Sequence, residues 1–124
     1  AVYETKFDNL YCSPANLDFV NLAKNFDPLR LHRALEKCKN QFERVVIDTL
    51  PTLDMFLITA LCTAHAVIIP FLPHFLAAVG VKQMSRLFYQ TATRQNQRLK
   101  LLGLVPVMFD RRINMHKQVT AEIA

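Results

Sequence analysis

The sequence predicts an α/β fold built on a parallel sheet. Apolar runs at 45–47, 66–70 and 100–107 are mostly continuous rather than alternating, as strands covered on both faces are. The stretches between them place apolar residues at helical spacing. Strands that alternate with helices make β-α-β units with right-handed crossovers, and so a parallel sheet with helices on its faces. At 124 residues and 52% hydrophobic content the chain has the size of one domain, 1–124, with a real core.

Each element has its own signal. Asn9-Leu10-Tyr11-Cys12 reads as a first strand that leaves through Ser13-Pro14. Asn16 is placed to cap a short helix to about Phe26. Asp27-Pro28 is a cap followed by proline at the first helical position, and Leu31, Ala34 or Leu35, Cys38 and Phe42 follow at helical spacing. Val45-Val46-Ile47 is the next strand, closed by Asp48 and the turn Thr49-Leu50-Pro51. A nearly all-apolar helix is expected from about Leu53 to Ala64, then a covered strand from Ala66 to Pro70. After a proline-stiffened loop at 71–75, a long helix runs from about Ala77 to Leu99 with Val81, Met84, Leu87 or Phe88 and Thr91 inward. Lys100–Val107 is the last strand, irregular at Pro106. Asp110 then caps a final helix with Ile113, His116 or Met115, Val119 and Ile123 inside.

Charge is polarised along the chain. The net charge is +5, and between Asp54 and Asp110 every formal charge is positive: Lys82, Arg86, Arg94, Arg98 and Lys100. Lys82, Arg86, Gln90, Arg94 and Arg98 recur every four residues, one stripe of the long helix. Without acidic neighbours the stripe has no i, i+4 ion pairs, which leaves either a solvated face or one that follows a phosphate backbone.

Several classes are excluded. Cys12, Cys38 and Cys62 lie far apart in apolar patterns, so a disulfide framework and a zinc site are disfavoured and buried free thiols in a reducing cytoplasm are expected. The histidines form no i, i+4 metal pair, and neither Ser13 nor Ser85 stands in a G-x-S-x-G turn. Met55–Val81 lacks charged residues but holds Pro70 and Pro73, which break a membrane-spanning helix, so no membrane span is expected. With only Gly80 and Gly103, neither G-x-x-x-x-G-K-[ST] nor G-x-G-x-x-G can be written onto the chain. These residues alone do not build a conventional triphosphate site.

Asp48 has two readings. It is either a capping residue for the next helix or a carboxylate beyond the carboxyl end of a strand, where ligands bind in open α/β sheets.

The run Phe-Glu-Arg-Val-Val-Ile-Asp-Thr-Leu-Pro (42–51), with Leu53 and Thr59-Ala60-Leu61, resembles the ParA/Soj/MinD partition ATPases, whose pattern is roughly Y-D-Y-hydrophobic-I-D-x-P-P-x-L and then N-A-L. Other segments agree in order: Asn9–Leu17 with N-L-x-x-x-P-A-N-x-x-L, Ala64–Pro70 with A-A-D-x-V-I-I-P, and Phe75–Gly80 with Y-F-A-L-E-G. Leu102-Gly103, Met108–Arg112 and Asn114 resemble L-G-x-x-x-T-M-Y-D-x-R-T-N. The resemblance implies a three-layer P-loop-NTPase-like sheet, an ATPase that dimerises around ATP, nonspecific DNA binding and a partition partner protein. It makes Asp48 the Walker B aspartate, holding Mg²⁺ through water as suits a hard cation. Thr49 and Pro51 become the γ-phosphate switch, and Met108 and Asp110 lie near the adenine. Arg94, Arg98 and Lys100 fall in the region where that family's DNA-binding basic residues occur, without a one-to-one match, and Lys82 and Arg86 join them as DNA-binding candidates through the stripe. Its location would be cytoplasmic, with nucleoid association through DNA.

The departures limit this. The paired prolines are Leu50-Pro51, the strand aspartate is His65, the glutamate of A-L-E-G is Val79, and the K-G-G-x-G-K-[ST] loop is missing. The chain, which opens on Ala1, is expected to be the second half of such a domain cut from a longer protein, with a degenerate non-catalytic interaction or DNA-binding module as the alternative. ATP and Mg belong to the complete domain, and neither is expected on this chain alone. An open sheet edge favours pairing with a second copy.

Overall fold

The computed structural model describes residues 1–15, 26–50 and 52–123. The helix expected at 16–26, Phe26 apart, and Pro51 lie outside them. Among the described residues the elements run β1 (Tyr3–Glu4), β2 (Tyr11–Cys12), α1 (Arg30–Glu36), α2 (Met55–Thr63), β3 (Ala66–Phe71), α3 (Ala77–Arg94), β4 (Lys100–Pro106) and α4 (Asn114–Ile123). The fold is α/β with a parallel pair at its centre, as expected. β3 pairs with β4 in parallel, Ala66 opposite Lys100 and Phe71 opposite Pro106, with a bulge between Val67 and Ile68.

The core forms where α2, β3 and α3 meet. Leu57, Leu61 and Leu99 are its fully buried members, and Ala64, Val67, Met84, Leu87, Phe88 and Ala92 pack around them. Burying one such leucine contributes roughly 1.5–3 kcal/mol. The inward face expected of the long helix is therefore the observed one, with Val81 and Thr91 buried as well.

α2 begins at Met55, close to the expected Leu53, and its cap is Asp54 rather than Asp48. Asp54 Oδ1 accepts the Phe56 and Leu57 N–H groups at 3.0 and 3.2 Å, satisfying donors that the first turn leaves open. The Thr52 hydroxyl donates to Oδ2 at 2.6 Å. That bond, with the two backbone groups adding to it, holds the Asp54 carboxyl below its ordinary range.

Five elements differ from the sequence-based expectation. Val45–Ile47 forms no strand: Val46 is 85% exposed and Val45 is also exposed. A short β-branched run becomes a strand only beside partners for its backbone groups, and the parallel sheet of the described residues contains β3 and β4 alone. The covered strand at 66–70 is covered on one face only. Ile69 and Phe71 are buried, whereas Ile68 is 55% exposed. The first strand is reduced to Tyr11–Cys12, paired antiparallel with Tyr3–Glu4, and Cys12 is exposed rather than buried. Of the other thiols, Cys38 is half-buried and Cys62 buried. α1 is also shorter than its pattern: it stops at Glu36, although Leu31, Leu35, Cys38 and Phe42 all lie on half-buried ground.

The long helix ends at Arg94 rather than near Leu99, because Asn96 leaves it to serve a neighbour. Its Nδ2 donates to the Leu61 and Ala64 carbonyls, both at 2.8 Å, at the open end of α2. Its own N–H returns to Thr91 O at 2.8 Å. Beside it the Cys62 thiol donates to Gln95 Oε1 at 3.3 Å, and burial pushes that thiol's pKa up.

Two stability measurements check this account. Asn96→Ala strands two carbonyls and is expected to cost about 1–3 kcal/mol in urea unfolding; an unchanged midpoint would count against the clasp. Asp54→Ala is expected to cost about 1 kcal/mol at neutral pH. Because the folded carboxyl titrates below its unfolded value, its contribution is present above the unfolded pKa. It is lost as pH falls through the lowered folded value, so the variant and the parent should converge in acid.

Candidate functional site

Parallel strands present their carboxyl ends, and the loops that follow, on one side of the sheet. Here that side carries the turn after β4. Val107 N–H donates to Phe71 O at 2.9 Å, which fastens the turn to the end of β3. Met108 then takes a left-handed φ of 54° and is 84% exposed. A non-glycine residue in that region carries strain that its surroundings must hold.

The surroundings are specific. Asp110 N–H donates to His116 Nδ1 at 3.0 Å, which requires that nitrogen to be unprotonated. The Asp110 carboxylate accepts Arg112 Nη2 at 2.8 Å, Arg112 Nε at 3.1 Å and the Arg112 N–H at 2.9 Å. Arg112 holds the Asp110 carboxyl below its ordinary range, and the carboxylate raises the guanidinium in return. Ile113 N–H donates to Asp110 O at 3.1 Å, so Asp110 organises the turn before α4. The expected helix cap is thus not formed: the Asp110 carboxylate holds Arg112, and α4 begins only at Asn114. His116 and Arg112, which hold this turn, are local partners that spacing alone does not identify; a histidine six residues after an aspartate is too common a pattern.

Asp48 is exposed and forms no ion pair with another described residue. Thr49 is half-buried. No hydrogen bond between described residues joins either to the Met108–Asp110 turn. Among the described residues no three of His, Cys, Asp and Glu form a metal cage. One exposed carboxylate is nevertheless a fitting donor for a cation that keeps its waters and takes its remaining ligands from phosphates.

The basic stripe is real along α3 and ends with it. Lys82, Arg86, Tyr89, Gln90 and Arg94 are all exposed. Lys82, Ser85, Arg86, Tyr89 and Gln90 line one shallow groove. None of these cations pairs with an acid among the described residues. Tyr89, overlooked in the charge pattern, adds an exposed ring between two arginines. Arg98 and Lys100 leave the stripe. Arg98 lies in the turn after Asn96, and Lys100 opens β4 opposite Ala66, on the uncovered sheet face. No described helix is long and apolar enough to cross a membrane.

Comparisons with known proteins converge. A family model described as an AAA domain matches residues 1–101. Sporulation initiation inhibitor protein Soj of Bacillus subtilis is 29% identical over 96% of this chain and 49% of its own length. Chromosome partitioning protein ParA of Caulobacter vibrioides is 32% identical over 76% of this chain and 36% of its own. Among solved structures, cobyrinic acid a,c-diamide synthase from Mycobacterium smegmatis, with bound ATP analog and magnesium, superposes with a TM-score of 0.88. The two are 31% identical over 99% of this chain and 52% of the synthase. The chain spans about half the length of the curated relatives that match most of it.

One measurement checks the turn. Arg112→Ala should let the Asp110 carboxyl titrate nearer its ordinary range in an NMR titration, since the guanidinium that stabilises the carboxylate is gone. An unmoved titration would show that the guanidinium does not hold it.

Proposed function

This chain belongs to the AAA domain family as a relative of the ParA/Soj partition ATPases, and we propose that it forms the magnesium, switch and DNA-facing part of such an ATPase, acting in chromosome or plasmid partitioning. The observation that carries the reading is the exposed face of α3, where Lys82, Arg86 and Arg94 stand around Tyr89 and Gln90 without acidic partners among the described residues. Such a face suits a phosphate backbone: cations neutralise phosphates, the ring and the amide add contacts, and none of this reads base sequence. Nonspecific DNA is therefore the proposed partner, with ATP-dependent dimerisation, a partition protein and a cytoplasmic, nucleoid-associated location following from the family.

The nucleotide side is shared. Asp48 would hold Mg²⁺ through a water, Thr49 and Pro51 would follow the γ-phosphate, and the Met108–Asp110 turn would lie against the adenine. Mg²⁺, when bound, supplies charge neutralisation on the phosphates. This chain's own residues position and orient, and the phosphate-cradling loop comes from residues other than these. The superposition on a synthase that holds an ATP analog and magnesium supports a nucleotide fold of this kind. A second reading, a non-catalytic DNA-binding module on the same scaffold, draws on the missing glycine-lysine loop pattern.

Anisotropy with a labelled random-sequence duplex tests the DNA face. If three cations each neutralise one phosphate, binding should weaken about 40-fold on a fourfold rise in salt. Arg86→Glu with Arg94→Glu should weaken it further and flatten the salt slope by about 2 units. Salt-independent binding, or a double variant that binds like the parent, would remove the α3 face from the reading.

A further inference from the structure

The turn between β4 and α4 is fixed at both ends by bonds that no proton near neutral pH disturbs. Before it, Val107 N–H donates to Phe71 O and ties the end of β4 to β3. After it, the bonds from Arg112 and Ile113 to Asp110 fold the segment 110–113 on itself. Between these ends stand Phe109 and the left-handed, exposed Met108. A strained conformation of that kind persists only while its surroundings hold it.

His116 is what holds it to α4. Its Nδ1 accepts the Asp110 N–H at 3.0 Å, and this is the hydrogen bond that joins 108–110 to α4 among the described residues. The His116 ring also lies 6.1 Å from the Phe109 ring, centroid to centroid. The first turn of α4 carries the ring, with His116 N–H donating to Ile113 O at 3.1 Å. The bond from Asp110 depends on the lone pair of Nδ1. A histidine that gains a proton becomes a donor at both nitrogens, so the acceptor is lost and two N–H groups face each other.

The neighbouring charges say where the ring goes next. The turn carries Asp110, Arg111 and Arg112, and α4 carries Lys117 and Glu122. α3, which packs on α4, carries Lys82, Arg86 and Arg94 on its exposed face. Of these, the Asp110 carboxylate is the acid beside the ring, and the charge of His116 favours its ionised form. An imidazolium therefore has a carboxylate to turn to, shared with Arg112, once the backbone N–H is released.

We propose that His116 is a proton-operated latch on the Met108–Asp110 turn. Neutral, it clasps the Asp110 N–H and keeps Met108 left-handed. Protonated, it exchanges that N–H for the Asp110 carboxylate and lets Met108 relax. The latch is thus closed at neutral and higher pH and opens as pH falls through the range where histidines gain their proton. It rests on these bonds alone and stands whether or not the turn faces a nucleotide.

Amide exchange of the chain between about pH 8 and pH 5, corrected for the intrinsic pH dependence of exchange, tests the latch. Opening that takes up one proton should lower the protection of the Asp110 amide about tenfold per unit of falling pH until the ring is charged. The Leu61 amide, inside α2, should not follow it. The ring proton shifts of His116 and the backbone carbon shifts of Met108 are read on the same samples and should move together. His116→Asn places near Nδ1 an oxygen acceptor that does not titrate in this range, so its Asp110 protection should show no pH dependence. A ring that gains its proton while Asp110 protection stays level overturns the latch. So does a fall shared by Leu61, which is unfolding of the whole chain, or a His116→Asn chain that keeps the parent's slope. The first two results are read on the unaltered chain and do not depend on the variant folding.

Discussion

The amide of Asn96 joins three elements whose arrangement the rest of the molecule follows. By donating to the Leu61 and Ala64 carbonyls it closes the open end of α2. By taking its own N–H back to Thr91 it ends α3. Leu99, three residues on, drops into the core beside Leu57 and Leu61, and Lys100 N–H reaches His65 O at 3.0 Å to start the β4 ladder. One half-buried side chain thus satisfies two carbonyls, ends a helix and sets a strand register. It does so at a place where unsatisfied carbonyls would otherwise be costly.

The same clasp decides the electrostatics. Had α3 continued to Leu99, Arg98 would have extended the line of Lys82, Arg86 and Arg94. Because the chain turns at Gln95, the basic face is confined to α3, and Arg98 and Lys100 serve other surfaces. What remains is a short face, without ion pairs among the described residues, with a tyrosine within it. On such a face attraction to a polyanion is long-ranged at low salt and screened at high salt.

The second constraint is an unsatisfied sheet. Among the described residues no further strand pairs with β3 or β4, so each leaves one edge of backbone groups open. Val45 and Val46 accordingly lie exposed, and Asp48, which the same pattern places at the end of a buried strand, is exposed too. The turn after β4 is, by contrast, complete in itself. Asp110, Arg112 and His116 hold it with local bonds, so it needs no partner to keep the strained Met108 in place.

Local chemistry was legible in the sequence. The apolar face of α3, the run of β3 and the extent of β4 rest on neighbours within one or two turns, and each was found where periodicity put it. The long-range decisions were not legible. Periodicity carries α3 on past Arg94, because nothing in its spacing reveals that Asn96 is needed by α2 some thirty residues earlier. A β-branched run marks Val45–Ile47 as a strand, but a strand exists only when another backbone lies alongside. The sequence by itself determined which segments are apolar, where helices start and which family the residues resemble. Only the tertiary structure decided which of those segments found partners, since pairing depends on groups that the chain brings together in space.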